Sequence, residues 1–131
     1  MGVKTPPYAN YPEWTEARQW AFVRSALRSA WGRHPVKWEA LRKAERPYKG
    51  SDKRRKKEWQ CAECQAWFKQ KEVSVDHIIP AGSLKKLEDL PGFVERLLFI
   101  SVDALQVLCS ACHQAKSNKE SKYRREQQQE E

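Results

Sequence analysis

Val75-Asp76-His77-Ile78-Ile79-Pro80 is the stretch on which the interpretation of this chain depends, because it places an acid beside a histidine at the end of a short apolar run. Cys61-x-x-Cys64 lies upstream of it, and Cys109-x-x-Cys112 lies downstream and is followed directly by His113. Thiolate, imidazole and carboxylate groups are the side chains that proteins use to bind divalent metals. The stretch therefore predicts a metal-dependent centre between two cysteine pairs.

The two cysteine pairs share one spacing and are separated by 44 residues. Such a turn lets two thiolates reach one ion at about 2.3 Å, and two turns complete a tetrahedron with no open position. The pattern predicts a structural zinc ion on Cys61, Cys64, Cys109 and Cys112, which would pin the start of one strand to the end of another and stabilise a small core. Redox thiols and unpaired cysteines are the alternatives.

The acid and the two nearby histidines have different expected tasks. Asp76 can ligate a hard divalent cation through a carboxylate oxygen, and the neutral imidazole of His77 can deprotonate water. Neighbours on a strand point to opposite sides, but where the strand ends in a turn both can reach a common centre. His113, at the start of a predicted helix, is the second metal ligand. In the blander alternative, Asp76 and His77 hydrogen-bond each other and do no chemistry.

Hydrophobic periodicity predicts helices in the first half of the chain. One runs from about 13 to 31 and ends at Gly32, and a second opens at Pro35, where a missing N–H costs nothing. We expect them to pack as a helical hairpin with Trp20, Trp31 and Trp38 inward, base stacking being the alternative role of these rings. Residues 1–12 are expected to be irregular.

The second half predicts strand, insertion, strand and helix. Val73-Ser74-Val75 leads into the acid–histidine pair as a strand, and 105–108 is its partner. Helices are expected at 84–89 and 92–100, separated by Pro91, and from 110 to about 125. The fold class is therefore α+β.

The positive charge is concentrated in the first half of the chain. Residues 1–60 hold 15 Lys and Arg against 6 Asp and Glu, whereas the whole chain of 131 residues has a net charge of +8. Five consecutive cations, Lys53, Arg54, Arg55, Lys56 and Lys57, follow a flexible turn. A basic cluster of this kind is typical of surfaces that bind phosphates and release counterions. Solubility and a solvated linker are the alternatives.

Composition and length limit the class of protein. No apolar window approaches the roughly 18 residues that span a bilayer, and Met1–Tyr11 lacks a signal pattern. We therefore expect a cytoplasmic protein without a membrane partner, in which paired cysteines favour metal over disulfides. The length suits one domain or a small domain with an appendage.

The order of the motifs across residues 59–120 resembles the HNH endonucleases, of the ββα-metal or His-Me finger fold. The resemblance rests on Cys-x-x-Cys, then Val75 to Pro80, then Leu105-Gln106-Val107-Leu108-Cys109-Ser110-Ala111-Cys112-His113. More narrowly, it is similar to the zinc-knuckle type of small bacteriophage and mobile-element proteins. It does not extend to the N-terminal helices.

The resemblance implies a DNA nuclease that nicks one strand per active site. Asp76 and His113 match the ligands of a catalytic ion, Mg²⁺ or Mn²⁺, His77 matches the general base, and the four cysteines match the structural zinc site. The family's middle Asn is Ala104 here, with Asp103 and Asn118 as candidate substitutes. The last helix would place basic residues on the phosphates of double-stranded DNA, namely Lys116, Lys119 and Lys122.

The expected organisation is a basic, DNA-binding helical region and linker at 1–58, a nuclease domain at 59–125 and a disordered tail at 126–131. The protein would act as a monomer or homodimer, with the 81–103 insertion available to a protein partner. Two other functions remain open: a non-catalytic zinc module that binds nucleic acid or a protein, and a purely structural domain.

Overall fold

The chain folds as a mixed α+β protein, as its sequence predicts. The computed structural model describes residues 11–130, with side chains from 11 to 127, so most of the predicted irregular lead-in at 1–12 lies outside it. The helices are α1 (Glu16–Trp31), α2 (Pro35–Ala44), α3 (Leu90–Leu98) and α4 (Ser110–Glu130). The strands are β1 (Glu45–Pro47), β2 (Lys57–Gln60), β3 (Trp67–Phe68), β4 (Val73–His77) and β5 (Leu105–Cys109).

The ends of the first two helices follow their local sequence. The Thr15 hydroxyl oxygen accepts a hydrogen bond from the Arg18 N–H at 3.1 Å and caps the start of α1. Gly32 ends that helix and Pro35 is the first residue of α2, so both predicted boundaries are confirmed.

Contacts divide the chain into two compact units, and the first combines α1 with the insertion. This helical unit comprises residues 11–34 and 79–100. Ala81, Leu84, Phe93 and Leu97 form its buried core, and Trp20 and Trp31 of α1 pack against that core, as expected of core tryptophans. Of the two helices predicted here, the one at 92–100 is confirmed as α3, whereas the one at 84–89 was wrong. Pro91 lies in the first turn of α3, where proline is tolerated, and a single 3-10 turn at Leu87–Asp89 precedes it.

The second unit, here the cysteine unit, comprises residues 35–78 and 101–130. In it β4 pairs antiparallel with β5, from Val73 opposite Cys109 to His77 opposite Leu105, and both predicted strands are confirmed. Helices α2 and α4 both contact this pair of strands. An antiparallel sheet of β1, β2 and β3 was not predicted. The predicted domain boundary at residues 58 and 59 falls inside β2.

The remaining expectations about the fold have different outcomes. Because α1 and α2 belong to different units, the helical hairpin stays a prediction. Trp38 was predicted to point inward but is 47% exposed. Residues 126–130, predicted to belong to a disordered tail, continue α4 as far as Glu130, and residue 131 lies outside the described range. None of the helices within residues 11–130 is long and apolar enough to cross a membrane.

Candidate metal centres

The four cysteines come together in the cysteine unit. Cys61 follows β2 and is fully buried, Cys109 ends β5, and Cys112 lies in the first turn of α4. Their sulfur atoms all lie within 4.8 Å of one another, and the Sγ atoms of Cys64 and Cys109 are 3.9 Å apart. Thiolates bound to one tetrahedral zinc ion at about 2.3 Å lie about 3.8 Å from each other. The cluster is therefore close enough to bind a metal ion such as zinc.

Main-chain hydrogen bonds shape the first cysteine turn and attach it to β5. The Gln65 N–H donates to the Cys61 carbonyl at 2.9 Å, and the chain turns through Gln65 in the left-handed region, with φ of 63°. The Ala62 N–H donates to the Val107 carbonyl at 2.8 Å. This last bond brings the turn beside the strand that carries Cys109, so pairs far apart in sequence meet.

The local electrostatics favour a cation among these sulfurs. Burial raises the pKa of Cys61, but backbone N–H groups, Cys109 foremost, outweigh it and lower this pKa to about 6. The neighbouring Cys109 sulfur is the largest of the effects that raise the pKa of Cys112 to about 12. Sulfurs this close cannot all ionise unless positive charge lies between them, and a divalent ion supplies that charge.

A second group of polar side chains surrounds Asp76 near the end of β4. Its Oδ1 lies 3.8 Å from Nε2 of His113 on α4. Its Oδ2 accepts hydrogen bonds from Gln106 at 3.1 Å and lies 3.0 Å from the Lys116 ammonium. Two ligands each about 2.1 Å from one octahedral ion lie about 3 Å apart at a right angle and about 4.2 Å apart when opposite, and the Asp76–His113 separation lies between these two values.

Lys116 links several parts of this group. Its Nζ also donates to the His77 carbonyl at 2.9 Å and to Oε1 of Glu120 at 2.6 Å. Burial lowers the pKa of Lys116, but the hydrogen bonds to Glu120 and Asp76 outweigh it and raise the pKa above its ordinary value. The side chain therefore stays an ammonium.

His77 is the last residue of β4 and is half-buried. The approach of its imidazole to the Asp76–His113 pair stays a prediction. The next residue, Ile78, donates its N–H to the Ala104 carbonyl at 2.9 Å. Of the two suggested substitutes for an asparagine at 104, Asp103 lies 3.8 Å from Lys43 on the surface, and Asn118 accepts a hydrogen bond from Gln114 at 3.0 Å.

The run of five cations lies in the hairpin between β1 and β2 and in the first residue of β2. Arg55 stacks over the Tyr48 ring at 4.1 Å, and Lys57 pairs with Glu45 at 3.2 Å. Arg54 lies 3.6 Å from Asp52 but is 94% exposed. Lys53 and Lys56 are exposed, as are the two other predicted phosphate contacts on α4, Lys119 and Lys122.

Sequence reasoning missed three side chains near these sites. Glu120 follows Lys116 by four residues on a helix, a spacing from which an ion pair can be predicted. Gln106 faces Asp76 only through the β4–β5 register, which the sequence does not specify. The burial of Glu58 beside Arg46 could not be predicted, because Glu58 directly follows a run of charged residues that is typical of exposed surface.

Comparison with known proteins adds no assignment. A scan of the chain against protein-family models gave no match, and searches of curated proteins and of solved structures found no significant similarity.

Proposed function

We propose that this protein is a metal-dependent DNA endonuclease of the HNH type, with β4, β5 and α4 as its ββα-metal core. The observation that carries the proposal is the separation of 3.8 Å between Asp76 Oδ1 and His113 Nε2. These residues are far apart in sequence and come from a strand and a helix that are in contact. Carboxylate oxygen and imidazole nitrogen are both ligands that divalent ions take, and the fold brings one of each close together here.

The reaction is hydrolysis of a phosphodiester bond. His77 accepts a proton from water, the water oxygen forms a bond to phosphorus, and the bond to the 3′-oxygen breaks, leaving a 5′-phosphate and a 3′-hydroxyl end. Asp76 and His113 would hold Mg²⁺ or Mn²⁺, and such an ion supplies stabilisation of the charge that develops on the phosphate. One centre of this kind nicks one strand.

The four cysteines serve as the structural part of the proposal. A closed four-thiolate zinc site leaves no position for substrate, so its role is to stabilise the fold. Cys109 and Cys112 flank the β5–α4 junction, and His113 follows Cys112 directly. Zinc binding would therefore also fix the start of α4, the helix that carries His113.

Double-stranded DNA is the proposed substrate, and the exposed cations support it. Lys53, Arg54 and Lys56 lie on the hairpin, and Lys119 and Lys122 lie on α4. These side chains would contact DNA phosphates, and such contacts give affinity without sequence preference.

A second candidate function is a non-catalytic, zinc-stabilised module that binds nucleic acid. Ala104 favours it, because the HNH family usually has an asparagine at this position and uses it to brace the catalytic loop.

Supercoiled plasmid incubated with Mg²⁺, Mn²⁺ or EDTA tests the proposal. We expect nicked circles with either metal ion, none with EDTA, and loss of nicking in His77→Ala while zinc content and circular dichroism are retained. Ser74→Ala, an exposed change on the same strand, is the matched control and should nick normally. Nicking by His77→Ala at the wild-type rate contradicts the assignment. DNA binding in a gel shift without cleavage by the wild type supports the second candidate.

A further inference from the structure

The ammonium of Lys116 has all its hydrogen-bonding capacity engaged within the protein. A lysine ammonium has three N–H donors. Three oxygens lie within hydrogen-bonding distance, Asp76 Oδ2 at 3.0 Å, the His77 carbonyl at 2.9 Å and Glu120 Oε1 at 2.6 Å. The side chain is only 25% exposed. To bind a DNA phosphate, as the sequence suggested, Lys116 would have to give up one of these partners.

The contacts of Asp76 are divided between its two oxygens. Oδ2 accepts a hydrogen bond from the Gln106 amide and lies 3.0 Å from the Lys116 ammonium, whereas Oδ1 lies 3.8 Å from Nε2 of His113. A carboxylate held in this way cannot rotate freely, and hydrogen bonds to the non-ligating oxygen are a common means of orienting a metal ligand. Lys116 therefore favours the orientation in which Oδ1 points to the imidazole.

The same ammonium also fixes the backbone at the end of β4. It binds the side chain of Asp76 and the carbonyl of His77, which are consecutive residues. Glu120, one turn further along α4, binds Lys116 from the other side and compensates its charge. One helical side chain thus ties together the acid and the histidine of the proposed centre.

We propose that Lys116 is a positioning residue of the Asp76–His113 centre: it orients Asp76 Oδ1 toward His113 and fixes the β4 end that carries His77, and it is not a phosphate ligand. The catalytic part of this inference rests on the proposed nuclease function, but the structural part does not. Measuring amide hydrogen exchange as well as nicking activity distinguishes the structural part from the catalytic part.

The test compares Lys116→Met, which keeps the chain length and removes the charge, with Lys116→Arg and with the exposed control Lys71→Met. In Lys116→Met, amide hydrogen exchange at Ile78, measured by NMR, should accelerate by about tenfold or more. The kcat for plasmid nicking at saturating Mn²⁺ should fall by about 10–100-fold, with KM for DNA little changed. Lys116→Arg should recover part of both losses, and Lys71→Met should match the wild type.

The outcomes distinguish the inferences. Unchanged exchange at Ile78 in Lys116→Met, or a kcat within about twofold of the wild type, overturns the positioning role. A higher KM with unchanged kcat means that Lys116 binds phosphate, which also overturns it. Faster exchange combined with a wild type that never nicks means that the proposed function fails while the structural role stands. If Lys116→Met loses zinc, Glu120→Gln replaces it, with smaller effects expected in the same directions and the same results overturning the inference.

Discussion

Ile78 donates its backbone N–H to the carbonyl oxygen of Ala104 at 2.9 Å, immediately after the last paired residues of β4 and β5. A main-chain bond therefore closes the two strand ends at Ala104, the residue that the proposed HNH assignment aligns with the bracing asparagine of that family. Because a backbone bond does not depend on the side chain, alanine at 104 is compatible with an ordered loop.

Ala104→Asn consequently should have little effect on nicking. We expect kcat for plasmid cleavage to change by about twofold at most, equivalent to about 0.4 kcal/mol in the activation free energy, because the backbone bond already closes the strand ends. Ser101→Asn, an exposed position nearby, is the control. A large increase in kcat in Ala104→Asn alone means that the loop of the natural chain is poorly ordered and that the backbone bond does not replace the asparagine.

Zinc content tests the four-cysteine cluster. The purified protein should contain about one zinc ion per chain, and chelation should lower the free energy of unfolding by several kcal/mol. Cys64→Ser changes the most exposed of the four cysteines and should abolish stoichiometric zinc. Glu63→Ser, in the same turn, should retain it. A fully stable protein without metal, by atomic absorption and denaturant titration, rules out a structural zinc site.

Glu58 is expected to be the most sensitive charged residue of the β1–β2–β3 sheet. It is 6% exposed and binds Arg46 at 2.6 Å, and that guanidinium lies 3.5 Å over the Trp67 ring. Glu58→Ala leaves Arg46 without its anion and should cost about 2–3 kcal/mol, below the usual range for a buried pair because Arg46 is partly exposed.

The control for that measurement is the neighbouring pair of Glu45 and Lys57, whose lysine is 56% exposed. Glu45→Ala should cost less than about 1 kcal/mol in the same urea titration. Equal losses in the two variants indicate that burial of Glu58 does not determine the energy of the pair.

Salt dependence of DNA binding tests the hairpin cations. Lys53→Ala/Lys56→Ala removes two exposed charges and should reduce the slope of log K against log salt by about 1.8, since each phosphate contact contributes about 0.9. Lys57→Ala should have a smaller effect, because Glu45 already pairs with that ammonium. The double change Lys85→Ala/Lys86→Ala, in the helical unit, controls for net charge. Equal slopes for the two double variants exclude a specific role for the hairpin.

The sequence predicted β4, β5 and α4 well because several signals coincide there. Alternating apolar residues, a cysteine at the strand end and a polar helix all agree, and the equal cysteine spacing indicated a common ligand set. The same motif predicted that Asp76 and His113 lie close together. It did not predict that Lys116 binds groups within the protein. Its partners come from a carbonyl, a strand and a helix turn, and only the folded chain brings them together.

The first sheet and the helical unit were harder to predict for physical reasons. Strands of two to four residues, such as β3 at Trp67–Phe68, are too short for alternation to be recognised. The periodicity of α1 indicated an apolar face but not its partner, which belongs to the insertion. That face packs against the core cluster that contains Phe93 and Leu97, whereas the expected partner was α2, whose packing on α1 stays a prediction.

The discontinuity of the helical unit has a consequence for the order in which the protein assembles. None of the side chains of α1, all of which are described, is fully buried, and its tryptophans pack against the core cluster that contains Phe93 and Leu97. At a synthesis rate of about 5–20 residues per second, Phe93 leaves the ribosome about 3–12 s after Trp31. The helix made first therefore waits for its core through the synthesis of the cysteine turn and β4, with its apolar face accessible to chaperones.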